Sequence, residues 1–239
     1  MTENTARKNY WLRSALFFLR DVVVIFAVAI LVSFIVKTFL IRSFYIPSES
    51  MEATLIKNDH VIVNELVPEL VPIERGDIIV FKDPGGWLTA QAEPQLNAFQ
   101  AGVEWIQSMF GLAAPDSNEH LIKRVIGLPG DTVHCCSADG KITINDVPIT
   151  EPYITIPPGQ SAASAIEFTE TVPQDSLFVM GDNRYNSADS RYQRDKPSKG
   201  FVPYSTVVGR AFVLNWPFDR FAWLSNYPEV FADVPNPPK

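Results

Sequence analysis

Near the start of the chain apolar positions neither alternate nor recur at intervals; they run together. Residues 22–36 read VVVIFAVAILVSFIV, with Ser33 as the lone polar side chain. Carried on to Ile41, the stretch is about 20 residues, which as an α-helix covers roughly 30 Å, one hydrocarbon core. A transmembrane helix over residues 22–41 is the prediction. Beyond Arg42 the pattern changes to short apolar runs closed by turn chemistry. Such runs occupy residues 60–66 (HVIVNEL), 77–82 (DIIVFK), 120–127 (HLIKRVIG) and 132–136 (TVHCC). Three more follow at residues 141–144, 176–180 and 206–215. Asp83-Pro84-Gly85-Gly86 and Leu128-Pro129-Gly130-Asp131 are strong turn signals between them. Strands this short, so closed, predict an antiparallel β domain.

One segment carries the helical period instead. Leu96, Phe99, Val103, Ile106 and Phe110 recur at steps of three and four between Pro94 and Gly111. Its other face lacks the Lys and Arg of a membrane-surface helix, so a helix packed on the β domain is expected. The fold class predicted is mainly β: an N-terminal transmembrane helix, then an antiparallel β-sheet domain with a short helical insertion. The divisions are a basic N-terminus over 1–21, the span over 22–41, and a domain over 42–239 in which 85–119 is inserted.

Composition changes little of this picture, and charge changes more. At 46% hydrophobic and 20% charged residues, the 239-residue chain is too apolar for wholesale disorder. The net charge of -7 conceals an asymmetry, because residues 1–42 hold more Lys and Arg than Asp and Glu while the remainder is strongly acidic. An acidic bulk disfavours nucleic acid as a partner. Arg7, Lys8, Arg13 and Arg20 precede the apolar run, and the positive-inside rule then puts the N-terminus in the cytoplasm and the β domain outside it. A cleaved export signal needs small residues just after the run, where the chain reads KTFLIRSF.

Several chemistries lack their motifs. His60, His120 and His134 sit in no G-x-S-x-G or H-E-x-x-H setting, and no phosphate-binding or dinucleotide fingerprint is present. Cys135 and Cys136 are adjacent, unlike spaced zinc ligands, so no metal site is expected. Side chains alternate on a strand, which predicts two unpaired cysteines. No cofactor is implied.

Three segments do suggest chemistry. Pro47-Ser48-Glu49-Ser50-Met51 places two serines directly after the span. In LIKRVIG, alternation sets Lys123 on one face with Leu121 and Val125. Taken alone, a lysine so placed more often snorkels to water from an edge strand; desolvation between the apolar neighbours would instead lower its pKa, the route to a neutral amine base near neutral pH. Gly181-Asp182-Asn183-Arg184 through Ser187-Ala188-Asp189-Ser190-Arg191 follows an apolar strand and offers hydroxyls and charge pairs to fix a loop.

Together these segments, with Arg75-Gly76-Asp77-Ile78-Ile79-Val80-Phe81 and Ile122-Lys123-Arg124-Val125-Ile126-Gly127-Leu128-Pro129-Gly130-Asp131, resemble the bacterial type I signal peptidases. The pieces stand in the family's order. The resemblance implies a membrane-anchored Ser/Lys endopeptidase that removes signal peptides from exported preproteins after an A-x-A-like site. It works on the outer side of the cell membrane, against the lipid bilayer and beside the export translocon. It implies Ser50 as nucleophile and Lys123 as general base, with Ser187 orienting the lysine and Ser48 completing the oxyanion hole. Asp189 and Arg191 would brace the loop of Ser187, and Arg124 would pair with Asp182. Phe44, Ile46, Pro47 and Ile122 would line shallow substrate pockets. Self-cleaving repressor proteases share the dyad but carry a DNA-binding domain where this chain has an anchor. A catalytically inactive tethered binding protein, or an anchored scaffold, would need neither the lysine nor the serines.

Overall fold

A computed structural model describes residues 17–34, 40–88 and 119–236. The chain divides into two units, Met1–Ile41 and Arg42–Lys239. In the first, helix α1 spans Phe17–Phe34, 18 residues long and apolar enough to cross a membrane. None of its residues is buried, and most of its apolar side chains are exposed. Ile41, the end of the span expected from the apolar run, is the first residue of a strand.

The second unit is built of strands. In chain order they are β1 (Ile41–Tyr45), β2 (His60–Asn64), β3 (Ile78–Lys82), β4 (His120–Gly127), β5 (Thr132–Cys135) and β6 (Ile142–Ile144). There follow β7 (Val147–Pro148), β8 (Phe168–Thr171), β9 (Ser176–Met180), β10 (Val202–Pro203), β11 (Val207–Trp216) and β12 (Ala222–Trp223). The larger sheet runs β1-β2-β11-β3-β4-β9-β10, with β12 paired to β11, and a smaller sheet runs β7-β6-β5-β8. From β2 to β10 the pairings are antiparallel, as they are throughout the smaller sheet. This is the mainly antiparallel architecture that the turn-punctuated runs predict.

Burial follows each strand's place in the sheet. Strand β2 shows alternation, with Val61 and Val63 buried and their neighbours half-buried. Strand β4 lies at the centre and is buried from Leu121 to Gly127, because both its faces are covered. Ile122 joins Phe44, Ile46, Met51, Leu55 and Val80 in one apolar cluster. Leu121 and Val125 face another with Ile79, Phe81 and Val179. Ile126 reaches the core shared with the smaller sheet, among Val133, Ile144 and Phe178. Each such side chain contributes roughly 1.5–3 kcal/mol, so the segment carrying Lys123 is held from both sides.

Two expectations need comment. Cys135 and Cys136 are joined as a disulfide, not unpaired. Alternation governs residues inside a strand, and β5 ends at Cys135, so it does not orient Cys136. The helix expected between Pro94 and Gly111 lies outside the described residues. Buried charge ties the C-terminal segment down: Arg75 donates to both oxygens of Asp131, at 2.8 and 2.7 Å, and to the Pro235 carbonyl. Gly76, at φ +86°, lets this segment approach closely, since a Cβ there would lie 1.8 Å from the Asn226 carbonyl oxygen.

Candidate active site

Ser50 opens a tight turn directly after β1. The turn closes through Glu52 N–H to Glu49 carbonyl and Leu55 N–H to Met51 carbonyl, and Met51 and Leu55 are fully buried beneath it. Ile46 is pinned on both sides, donating to the Asp59 carbonyl and accepting from the Asn58 N–H. The hydroxyl of Ser50 is thereby fixed on a short, anchored loop and is only 8% exposed.

Lys123 comes from the centre of β4, where its residue is paired with Ile79 of β3. Its Nζ donates to Ser50 Oγ at 2.6 Å and to the Ile122 carbonyl at 2.9 Å, and only 4% of the residue is exposed. Burial pushes the amine's pKa down from the ordinary lysine value to about 8; the charges of Asp189 and Asp182 pull upward without overcoming it. The lysine has a serine hydroxyl, not a carboxylate, as its side-chain partner. Ser48 Oγ lies 3.3 Å from Ser50 Oγ.

The loop after β9 closes the site. Asn183 N–H donates to the Ser50 carbonyl at 3.1 Å, and its side-chain amide donates to the Glu49 carbonyl at 3.2 Å. The approach is closest at Gly181, where an added Cβ would lie 2.3 Å from both the Ser50 carbonyl oxygen and Ser187 Oγ. Ser187 is buried; among the described residues its hydroxyl makes no well-formed hydrogen bond, although its interaction with the Asp189 carboxylate helps hold that acid's pKa down. The expected bond from Lys123 to Ser187 is therefore not made: the amine is turned to Ser50 Oγ and the Ile122 carbonyl instead.

Buried ion pairs support this loop. Arg191 holds Asp189 with two hydrogen bonds at 2.8 and 2.7 Å, and Asp189 also accepts the Gly181 N–H. Burial would raise the Asp189 pKa, but Arg191 and the Gly181 N–H outweigh it and hold the carboxyl below its ordinary range. Arg124 grips Asp182 with two bonds at 2.9 and 2.7 Å and donates to the carbonyls of Gly76 and Ser225. Asp182 also accepts from the Thr54 hydroxyl, four residues beyond Ser50. A further pair, Arg184 with Glu151, is buried beside them.

The residues expected in a substrate groove are placed less directly. Phe44, Ile46 and Ile122 retain 3%, 1% and 7% of their surface, because they belong to the cluster around Met51 and Leu55. They form a floor under the site, and Pro47 is the exposed member. Sequence reasoning missed Thr54 and Glu151; neither stands in a clear apolar pattern, and Glu151, ahead of a proline, carries the signal of a solvated loop.

The chain matches the family model described as signal peptidase, peptidase S26, over residues 19–216. It is similar to signal peptidase I of Mycobacterium tuberculosis (strain H37Rv), 36% identical over 223 residues that cover 85% of this chain and 74% of the relative. Signal peptidase I of Leptolyngbya laminosa is 39% identical over 81% of this chain and 77% of its own. That of Pseudomonas aeruginosa is 29% identical, over 82% and 72%. A crystal structure of a signal peptidase I from Enterococcus faecalis V583 covers 58% of this chain and 95% of its own, at 28% identity and a TM-score of 0.37. With its matching residues running from α1 to the end of β11, the chain belongs to the signal peptidase family, peptidase S26, a family of serine proteases.

Proposed function

We propose that this protein is a membrane-anchored endopeptidase that cleaves signal peptides from exported preproteins after a small-x-small site, with Ser50 as nucleophile and Lys123 as general base. The observation that carries the reading is the 2.6 Å contact between a buried amine of lowered pKa and a serine hydroxyl. A protonated lysine cannot accept the serine proton; desolvation is what makes the neutral amine accessible.

The chemistry follows from the geometry. Neutral Lys123 takes the proton of Ser50 as Oγ attacks the scissile carbonyl carbon. The oxyanion is received by the Ser48 hydroxyl and the Ser50 N–H, where one such donor contributes roughly 3 kcal/mol. The Lys123 ammonium then protonates the leaving amine, and the mature protein departs. In the ester that remains, Ser50 Oγ no longer offers a hydroxyl, and the amine must be turned to activate water. The Ser187 hydroxyl is the acceptor we assign to that step: buried and without a well-formed hydrogen bond among the described residues, it gains one when the amine turns to it. Asp182, Asp189, Arg124 and Arg191 brace the two loops, and Phe44, Ile46, Pro47 and Ile122 limit the groove to small side chains.

The bilayer enters through α1, with the basic N-terminus cytoplasmic and the β domain outside. Trp216, Phe218, Phe221 and Trp223 are exposed at the end of β11, on the turn that follows and on β12; Phe218 and Trp223 are 75% and 72% exposed. Such a cluster suits a membrane–water interface better than open solvent.

The test is to incubate the full chain in detergent micelles with a preprotein bearing an A-x-A site, beside Ser50→Ala and Lys123→Arg variants. Mass spectrometry maps the products. A cut after the second alanine by the wild type alone supports the dyad. Turnover by either variant sinks the assignment of that residue.

A further inference from the structure

The smaller sheet supplies none of the groups assigned to chemistry above, yet the segment leaving it packs against the loop of Ser187. After β7, Thr155 forms a parallel bridge with Asn183 and donates its N–H to the Asp182 carbonyl. Four residues earlier stands Glu151, whose side chain is 2% exposed. Its carboxylate accepts three donors: Arg184 Nη1 at 2.7 Å, Arg184 Nη2, and the Tyr153 hydroxyl at 2.9 Å.

Arg184 donates its remaining Nε–H to the Gly181 carbonyl at 3.1 Å, and its own carbonyl accepts from Arg191 at 2.8 Å. Gly181 is the point of closest approach to Ser50 and Ser187. The Tyr153 ring lies 4.0 Å from the Arg124 guanidinium, which grips Asp182. Burial, then the charge of Glu151, holds the tyrosine's pKa well above its ordinary value, so its hydroxyl stays a donor. One carboxylate from the smaller sheet's side thus ties off both braces of the loop.

We infer that Glu151 is a positioning residue for the reaction, acting through Arg184 on Gly181 and Ser187 without touching substrate or dyad. The inference rests on the reading of Ser187 as the group that orients Lys123. Moving Gly181 by a fraction of an ångström moves Ser187 against the amine, and catalytic geometry is sensitive on that scale.

A kinetic cycle on the full chain in micelles tests it, using Glu151→Gln, Ser187→Ala and the double variant. Ser187→Ala is expected to lower kcat about 100-fold and Glu151→Gln about 10- to 100-fold, with KM within about threefold of wild type. The double variant should be no slower than Ser187→Ala within about threefold, because both changes remove one function. Losses that multiply overturn the inference and leave the Ser187 reading standing. Wild-type turnover by Ser187→Ala removes that reading, and the inference with it. Arg184→Lys, which keeps the charge beside Glu151 but loses the Nε–H bond to the Gly181 carbonyl, gives the same cycle if Glu151→Gln does not fold.

Discussion

The pH dependence of turnover is the sharpest consequence of the burial of Lys123. An ordinary lysine has a pKa near 10.5, and here desolvation brings it to about 8. The difference corresponds to about 3 kcal/mol of penalty on the ammonium. At pH 7 about one lysine in ten is then a neutral base, against about one in three thousand for an unperturbed side chain. The acid limb of kcat/KM should therefore bend near pH 8, with activity about tenfold higher at pH 9 than at pH 7. The assay is hydrolysis by the full chain in micelles, below KM, across about pH 6–10, with the melting temperature followed at each pH. A limb near pH 10 would mean that the amine is not desolvated in the working enzyme. A limb near pH 6.5 would assign the base to another group, and either result refutes the reasoning.

Further expectations concern the loops and the anchor side. Gly181→Ala drives a Cβ to 2.3 Å from two atoms of the site and should cut kcat at least about 100-fold; near-normal turnover would show that the loops can part freely. Lys123→Met should stabilise the fold in urea by about 3 kcal/mol at pH 7. The sign follows because the folded amine titrates below the unfolded one: wild-type stability rises with pH between about 8 and 10.5, so the gain shrinks to zero above that window. A gain that persists at high pH would assign it to packing instead. Arg75→Ala leaves Asp131 as an uncompensated buried carboxylate and should cost about 3–5 kcal/mol, read from urea melts. In vesicles of brominated lipid the tryptophan fluorescence should be quenched, and Trp223→Tyr should remove part of that quenching; unchanged quenching would count against contact of β12 with lipid.

The sequence made the strand pattern legible because the determinants are local. β4 and β9 fall on the residues their apolar runs mark, since Pro-Gly and Gly-Asp turns bound them. β8, β10 and β12 escaped, being short pieces whose pairing with β5, β9 and β11 is a tertiary fact. At the site, Ser50 and Lys123 were legible from resemblance and are brought together by the fold. Alternation placed Lys123 on a face with Leu121 and Val125, but period alone could not say that this central strand is buried on both sides. Glu151 and Thr54 were illegible for a further reason. Their partners, Arg184 and Asp182, lie 33 and 128 residues away, and nothing in a polar loop residue announces so distant a partner.

The density of buried charge around Ser50 and Lys123 has a physical logic of its own. Arg75–Asp131, Arg124–Asp182, Arg184–Glu151 and Arg191–Asp189 are all buried pairs, and such pairs rarely stabilise a fold more than apolar residues of the same size. Their effect on Lys123 is more specific. Asp189 and Asp182 each favour the ammonium, and an unpaired carboxylate beside a desolvated lysine would fix it as a salt bridge with no base to offer. Committing each acid to an arginine, with two hydrogen bonds apiece, satisfies the carboxylates away from the amine, and the charge of Arg191 offsets part of their pull. The loop gains rigid charge-assisted bonds while desolvation stays the dominant influence on the amine. An arginine lost from either of these two pairs should therefore harm catalysis twice: by loosening the loop, and by turning the lysine's nearest carboxylate from a paired group into a competitor for its proton.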